Sequence, residues 1–189
     1  MAHIRVTEET TLSERMARGV VGGILAGVAF AAVVGWNVTA GDISLRTPFL
    51  AISTIVLGDH ALNTGEADFA IGVMVHLAIS ILYGMAFALI SSLLRTNGTV
   101  ALVGALYGAA IYVLDFRVFA PLWFQTFESF DQSFQLLIHV LYGLVVALAF
   151  YSSDVRRGEP FIKISGAGRT YPPSHRAGAG RWGRHGDIR

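Results

Sequence analysis

Four stretches of this chain run for eighteen residues or more with almost no charge, and they dominate what it can fold into. The first, 19–36, carries none. The second, 70–94, holds one ionisable side chain, His76. The third, 99–123, meets its first charge at Asp115 and its second at Arg117. The fourth, 134–153, is interrupted only by His139. A helix that crosses a bilayer needs about 20 apolar residues, with about 17–25 the usual range. All four stretches meet that length, the third provided that Asp115 and Arg117 lie near an interface. Composition agrees. The chain is 53% hydrophobic and 14% charged, where soluble domains sit near ~45–50% and ~25%.

A fifth apolar run, 49–58, is too short to span. Thr47 followed by Pro48 reads as a capping side chain and then a proline in the first helical turn, which predicts a short helix there. The expected fold is therefore an all-α membrane protein: a four-transmembrane-helix bundle with a short interfacial or re-entrant helix between the first two spans. Residues 1–18 are expected to form a cytoplasmic N-terminal tail, 19–153 the bundle, and 154–189 a disordered basic cytoplasmic tail. That last segment is rich in Gly, Arg and Pro and has no apolar period, so it cannot bury enough surface to offset its ordering entropy. No cleavable leader is expected, because the first apolar stretch is too long and follows a run with Glu8, Glu9 and Glu14.

Basic residues set the expected orientation, since Lys and Arg accumulate on the cytoplasmic side. Arg5, Arg15, Arg18, Arg95 and the eight basic residues of the C-terminal tail fall on one side, and only Arg46 and Arg117 on the other. Both termini are then expected on the cytoplasmic side, with Trp36, Trp123 and Phe124 near the outer interface.

Much chemistry is excluded. With no cysteine there are no disulfides, thiolate nucleophiles or Cys-ligated clusters. No nucleotide loop, zinc-protease helix or nucleophile elbow is present, so no catalytic residue is assigned and the chain is expected to be non-enzymatic. The basic tail lacks the aromatic interleaving of a nucleic-acid surface. It is expected to serve topology or to touch anionic headgroups instead.

Two motifs remain inside the membrane. Gly19, Gly23 and Gly27, and later Gly104 and Gly108, recur every four residues. Such stripes let helix backbones approach closely in lipid, where no hydrophobic force drives helices together. They serve packing within the bundle or against a partner, as in a homo-oligomer or a larger membrane complex. A Tyr-Gly pair also recurs, at Tyr83-Gly84, Tyr107-Gly108 and Tyr142-Gly143. Because the second and fourth stretches each set a histidine ahead of Tyr-Gly, they are consistent with duplicated two-helix hairpins.

The ionisable groups form the sharpest pattern. His76 and His139 each lie five or six residues inside their stretch, roughly 8–9 Å deep at 1.5 Å per residue. Asp115 shares a helical face with Gly104, Gly108 and Ile111, and His76 shares one with Ser80 and Tyr83. Ionisable groups in a membrane are costly and face the interior or a water cavity. His76, His139, Asp115 and Ser80 are thus expected to meet in the outer third of the bundle. Three roles are open: a polar network that fixes helix register, a proton or solute path using histidine's titration near neutrality, or a haem or metal held between the two imidazoles. No metal site or cofactor is assigned.

The order of these features resembles an uncharacterised family of small four-span bacterial membrane proteins, some members of which carry the label sodium:proline symporter. The pieces that carry the likeness are the Gly-rich 22–32, the segment 48–58 ending Val56-Leu57-Gly58, 75–87, 104–124 with Pro121, and 139–143. Together they cover roughly residues 19–152. The resemblance implies the fold and offers no catalytic residue. Four short spans also fall short of the two-repeat bundles with broken midplane helices that build such symporters. The expected function is a structural or accessory membrane subunit. A small oligomeric transporter or channel using the His/Asp layer is the alternative, and a haem or metal carrier the third.

The orientation has a direct check. Single cysteines placed at Thr64 and Ser129 should react with an impermeant thiol reagent from the periplasm, whereas those at Asn97 and Ser174 should stay unlabelled until the membrane is opened. Labelling of Asn97 from outside would reverse the topology.

Overall fold

The structure, a computed structural model, describes residues 11–94 and 96–151. The expected tail at 154–189 lies outside them. Among the described residues the chain is mainly helical and has no strand. α1 spans Leu12–Ala40, α2 Thr47–Leu57, α3 Ala61–Thr64, α4 Phe69–Ser91 and α5 Asn97–Tyr112. A π-helical segment, Val113–Phe119, and a last turn, α6 at Ala120–Trp123, continue α5. A 3-10 turn at Gln125–Ser129 leads into α7, Gln132–Leu148. Among the described residues, three helices are long and apolar enough to cross a membrane: Leu12–Ala40, Phe69–Ser91 and Asn97–Trp123. α7 is also apolar and shorter, at 17 residues.

Two boundaries differ from expectation for local reasons. α1 begins at Leu12, so 12–18 is helix rather than tail. Thr11 accepts from the Glu14 amide while the Glu14 carboxylate accepts from the Thr11 amide, a complete capping box that satisfies two N–H groups left bare at a helix start. α2 begins at Thr47, but Thr47 does not cap it. Arg46 holds the cap position in helical conformation with no side-chain cap bond, and Pro48 sits in the first turn as expected.

The helices pack as two antiparallel pairs, and glycine makes both. α1 lies on α4. A methyl added at Gly19 would fall 2.6 Å from the Gly84 carbonyl oxygen, and one at Gly23 2.4 Å from that of Ser80. α5 lies on α7 in the same way, where a methyl at Gly108 would come 2.0 Å from the His139 carbonyl oxygen and one at Gly143 2.1 Å from that of Gly104. Gly22 joins the pairs by resting against Val146 of α7 and Ala149 just beyond its end. Gly72 of α4 takes the backbone of Phe49, which seats α2 across α4. Only backbones without a Cβ approach this closely, so each stripe selects its partner helix.

These contacts also align the two pairs. Gly19 and Gly23 face Gly84 and Ser80 as Gly104 and Gly108 face Gly143 and His139. Tyr83-Gly84 is therefore equivalent to Tyr142-Gly143. The two histidines are not equivalent. His139 matches Ser80, and His76 matches Gln135, one turn away or about 6 Å at 1.5 Å per residue.

The molecule is inverted relative to a soluble domain. The buried residues of α1 are Gly19, Gly22, Gly23, Ala26 and Gly27, while Val21, Leu25 and Val28 point outward. α4, α5 and α7 likewise expose Leu77, Leu106 and Leu137. A compact core of Phe87, Val100, Ile111, Tyr142, Val146 and Phe150 fills one half of the bundle, the half nearer the two ends of the described chain. There Phe87 packs on Tyr107 and bridges α4 to α5. In the other half, nearer α2, α4 and α5 separate.

Two glycine substitutions should therefore differ in sign. Gly108→Ala drives a methyl into backbone, so it should cost about 1–3 kcal/mol. At about 2–4 °C per kcal/mol for a chain of this size, the melting temperature in detergent should fall by several degrees. At Gly35 the nearest atom is the end of the Leu45 side chain, 3.1 Å away, which can move. Gly35→Ala should melt at or slightly above the wild type, because alanine favours helix by about 0.5–1 kcal/mol.

Candidate functional site

Where α4 and α5 separate, the bundle encloses a cavity of about 370 Å³, within the ~300–1,000 Å³ common for ligand sites. α4 contributes Ile79, Leu82 and Tyr83, and α2 contributes Pro48, Ile52 and Ile55. Most of the remaining wall is aromatic, with Phe30 from α1, Phe116 and Phe119 from the π segment, and Phe124, Phe127 and Phe130 from the turn that follows. Leu82 both lines the cavity and is 57% exposed on the outer face of α4, so the chamber reaches the side of the bundle there.

His76, His139, Asp115 and Ser80 all lie on this wall, as do Tyr83, Tyr142 and Gln135. The His76 Nε2 is 2.9 Å from the Gly27 carbonyl oxygen. A carbonyl only accepts, so Nε2 carries the hydrogen and Nδ1 of the neutral ring is an acceptor. Gly27 admits this contact by lacking a side chain, since a methyl there would meet the Ser80 side chain at 2.6 Å. His139 is buried, and its Nδ1 lies 2.6 Å from the Gln135 carbonyl. By the same argument Nδ1 donates, and Nε2 is left facing Asp115 Oδ2 at 3.7 Å. A proton held by either partner makes that approach attractive.

Three tyrosine hydroxyls finish the layer. Tyr83 donates to Asp115 Oδ1 at 2.5 Å, Tyr107 to the Tyr83 carbonyl at 2.7 Å, and Tyr142 to the Ser80 carbonyl at 2.5 Å. Each tyrosine precedes a glycine: the glycine faces the seam within its own pair, and the tyrosine, about 100° round the helix, reaches across to the other pair. The Tyr-Gly pairs are visible in the sequence, where they read as a sign of duplicated hairpins and give the hydroxyls no role.

Asp115 owes its place to an irregular backbone. It lies in the π segment, where the Ala120 amide bonds to the Asp115 carbonyl, five residues back. The cause is Pro121. It has no N–H to offer the carbonyl of Arg117, and its ring presses on that carbonyl. The wider turn relieves both problems. Single π turns inside α-helices often mark functional positions. Pro121 was the available sequence signal for this one.

Other polar groups stay out of the layer. Asp59 accepts from Thr126 Oγ1 at 2.8 Å and ties the α2–α3 turn to the 3-10 turn. His60 pairs with Glu66 at 3.6 Å on the exposed surface. The Phe30 ring packs on both imidazoles, with centroids 5.6 Å from His76 and 5.0 Å from His139, and so fills the gap that a haem between them would need. Among the described residues no group of three or more His, Asp or Glu side chains is placed to hold a metal ion. A comparison with protein-family models, curated proteins and solved structures found no match for this chain.

The Tyr83–Asp115 bond can be measured. In a double-mutant cycle of Tyr83→Phe and Asp115→Leu, read by unfolding in detergent, the combined loss should be smaller than the sum. The shortfall should be about 1.5–3 kcal/mol, the range for a hydrogen bond to a charged group.

Proposed function

We propose that this chain is a four-span bacterial inner-membrane protein, both termini cytoplasmic, that binds a small apolar-bodied molecule in the outer half of its bundle and acts as a binding or accessory subunit rather than as an enzyme. The observation that carries the reading is the aromatic-walled cavity on which His76, His139 and Asp115 converge. Largely apolar walls with a few convergent polar groups are the usual make-up of a ligand site. The fourth span is α7, whose 17 residues cover about 25 Å at 1.5 Å per residue, the short end of what spans a bilayer. With the basic residues inside, the polar layer falls in the outer leaflet and Leu82 faces lipid. A ligand would then enter sideways from the membrane.

Two features favour binding over the neighbouring alternatives. Below the layer, Phe87, Val100 and Val146 are fully buried and close the inner half, so one chain offers no continuous path for coupled transport or conduction. The glycine stripes are used against α4 and α7, so they are not free to recruit a partner subunit.

The reading is tested by photolabelling in lipid nanodiscs with a hydrophobic phenyl-diazirine. Lipid-facing positions should label in proportion to probe concentration. Ile79 and Phe119 should label saturably, and Ile79→Trp, which fills the chamber, should remove the saturable part. If labelling at both positions rises linearly like that of the lipid face, no binding chamber exists.

A further inference from the structure

The formal charge on the cavity wall is one-sided, and that identifies a ligand class. The His76 Nε2 hydrogen goes to Gly27, the His139 Nδ1 hydrogen to Gln135, and the Tyr83 and Tyr142 hydroxyl hydrogens to Asp115 and Ser80. The Ser80 hydroxyl and the Gln135 amide, on the same wall, are uncharged groups that can donate or accept and so favour neither sign. Asp115 is the one carboxylate among the residues lining the chamber, and no Lys or Arg lines it. Arg46 and Arg117, the basic residues nearest this end, lie over the Phe69 and Tyr112 rings instead. Six phenylalanines supply the rest of the surface. Aromatic faces carry negative quadrupole density and attract a desolvated cation, above all one without donors of its own to satisfy. A phosphate or carboxylate head would meet the Asp115 carboxylate, with no Lys or Arg to receive it.

We propose that the chamber takes a lipophilic organic cation, an apolar body bearing a protonated or quaternary amine, with the amine beside Asp115 and the body against Phe116, Phe119 and Phe124. This rests on the reading that the chamber binds a small molecule, and adds the charge of what it binds. Asp115 is the counter-ion. Tyr83 fixes the carboxylate from Oδ1, so that Oδ2 is presented toward His139 and the cavity. Leu82 marks the side through which an amphipathic cation held in the outer leaflet would pass.

The test compares two probes of the same shape on the full chain in nanodiscs, with binding to empty nanodiscs subtracted. One is phenylbutyl-trimethylammonium. The other is the hydrocarbon in which carbon replaces its quaternary nitrogen. The cation should bind wild type at least about tenfold more tightly than the hydrocarbon. Asp115→Asn, which keeps the shape and an oxygen for Tyr83, should bring the ratio of the two affinities to within about twofold of unity. Equal binding of the two probes to wild type overturns the cation proposal and leaves the binding chamber standing. So does a cation preference that survives Asp115→Asn. If neither probe binds saturably, the chamber itself is not a site and both readings fall. Should Asp115→Asn not fold, the comparison of the two probes on wild type still decides.

Discussion

Close approach of helix backbones at glycine holds this structure together. Helices in lipid gain nothing by hiding leucine from an equally apolar solvent, so their association relies on dispersion contacts between well-fitted surfaces and on hydrogen bonds across the gap. Gly19 and Gly23 against α4, and Gly104 and Gly108 against α7, give the first. The flat seam brings main chain to main chain. The second runs between the pairs, where the Tyr83, Tyr107 and Tyr142 hydroxyls reach Asp115 and backbone carbonyls of the other pair. Large side chains inside the bundle then matter chiefly in the half that is filled, around Phe87 and Val146.

The same constraint explains why a chamber exists. Each pair is drawn tight along its glycine stripe, and α1 is drawn to α7 through Gly22. No such stripe joins α4 to α5. Those helices meet through Phe87 and Tyr107 at one end and diverge at the other. There the gap is lined by rings from the π segment and the turn after it rather than closed by helix packing. The polar layer sits at this divergence because its members can be neither lipid-facing nor jammed into a glycine seam.

Several of these features could be read from the amino-acid order. The apolar stretches, their lengths and the glycine stripes follow from solvent and geometry, and the stripes name the faces that must pack. The convergence of His76, His139 and Asp115 on one cavity was an expectation from their depth and helical face. Their places within the two hairpins were not legible, because it is the glycine contacts that match Ser80, not His76, to His139 when one pair is laid on the other. The early start of α1 was missed because charged residues at 14, 15 and 18 masked a helix already announced by Thr11 and Glu14. The capping role expected of Thr47 failed because Arg46 is itself helical. The cavity could not be read from sequence at all, since it is an absence of contact between two helices that are each individually regular.

The π segment leaves this chain with a counting constraint. An α-helix turns about 100° per residue, and Val113–Phe119 carries an extra residue that the bulge absorbs. Phe119 and Phe124, at its end and just beyond it, lie on the chamber wall. Losing a single residue here would let the helix relax to regular winding, and everything from Phe119 to the 3-10 turn would swing by roughly a quarter of a revolution. Sequence drift by substitution is cheap in this segment, whereas drift in its length is not. By contrast, the stretch between α1 and α2 at 41–46 is turn and coil, exposed throughout, and can change length without carrying any side chain off the chamber. Among descendants of this sequence, gaps should gather in the loops and spare the one helix that is locally the least ideal.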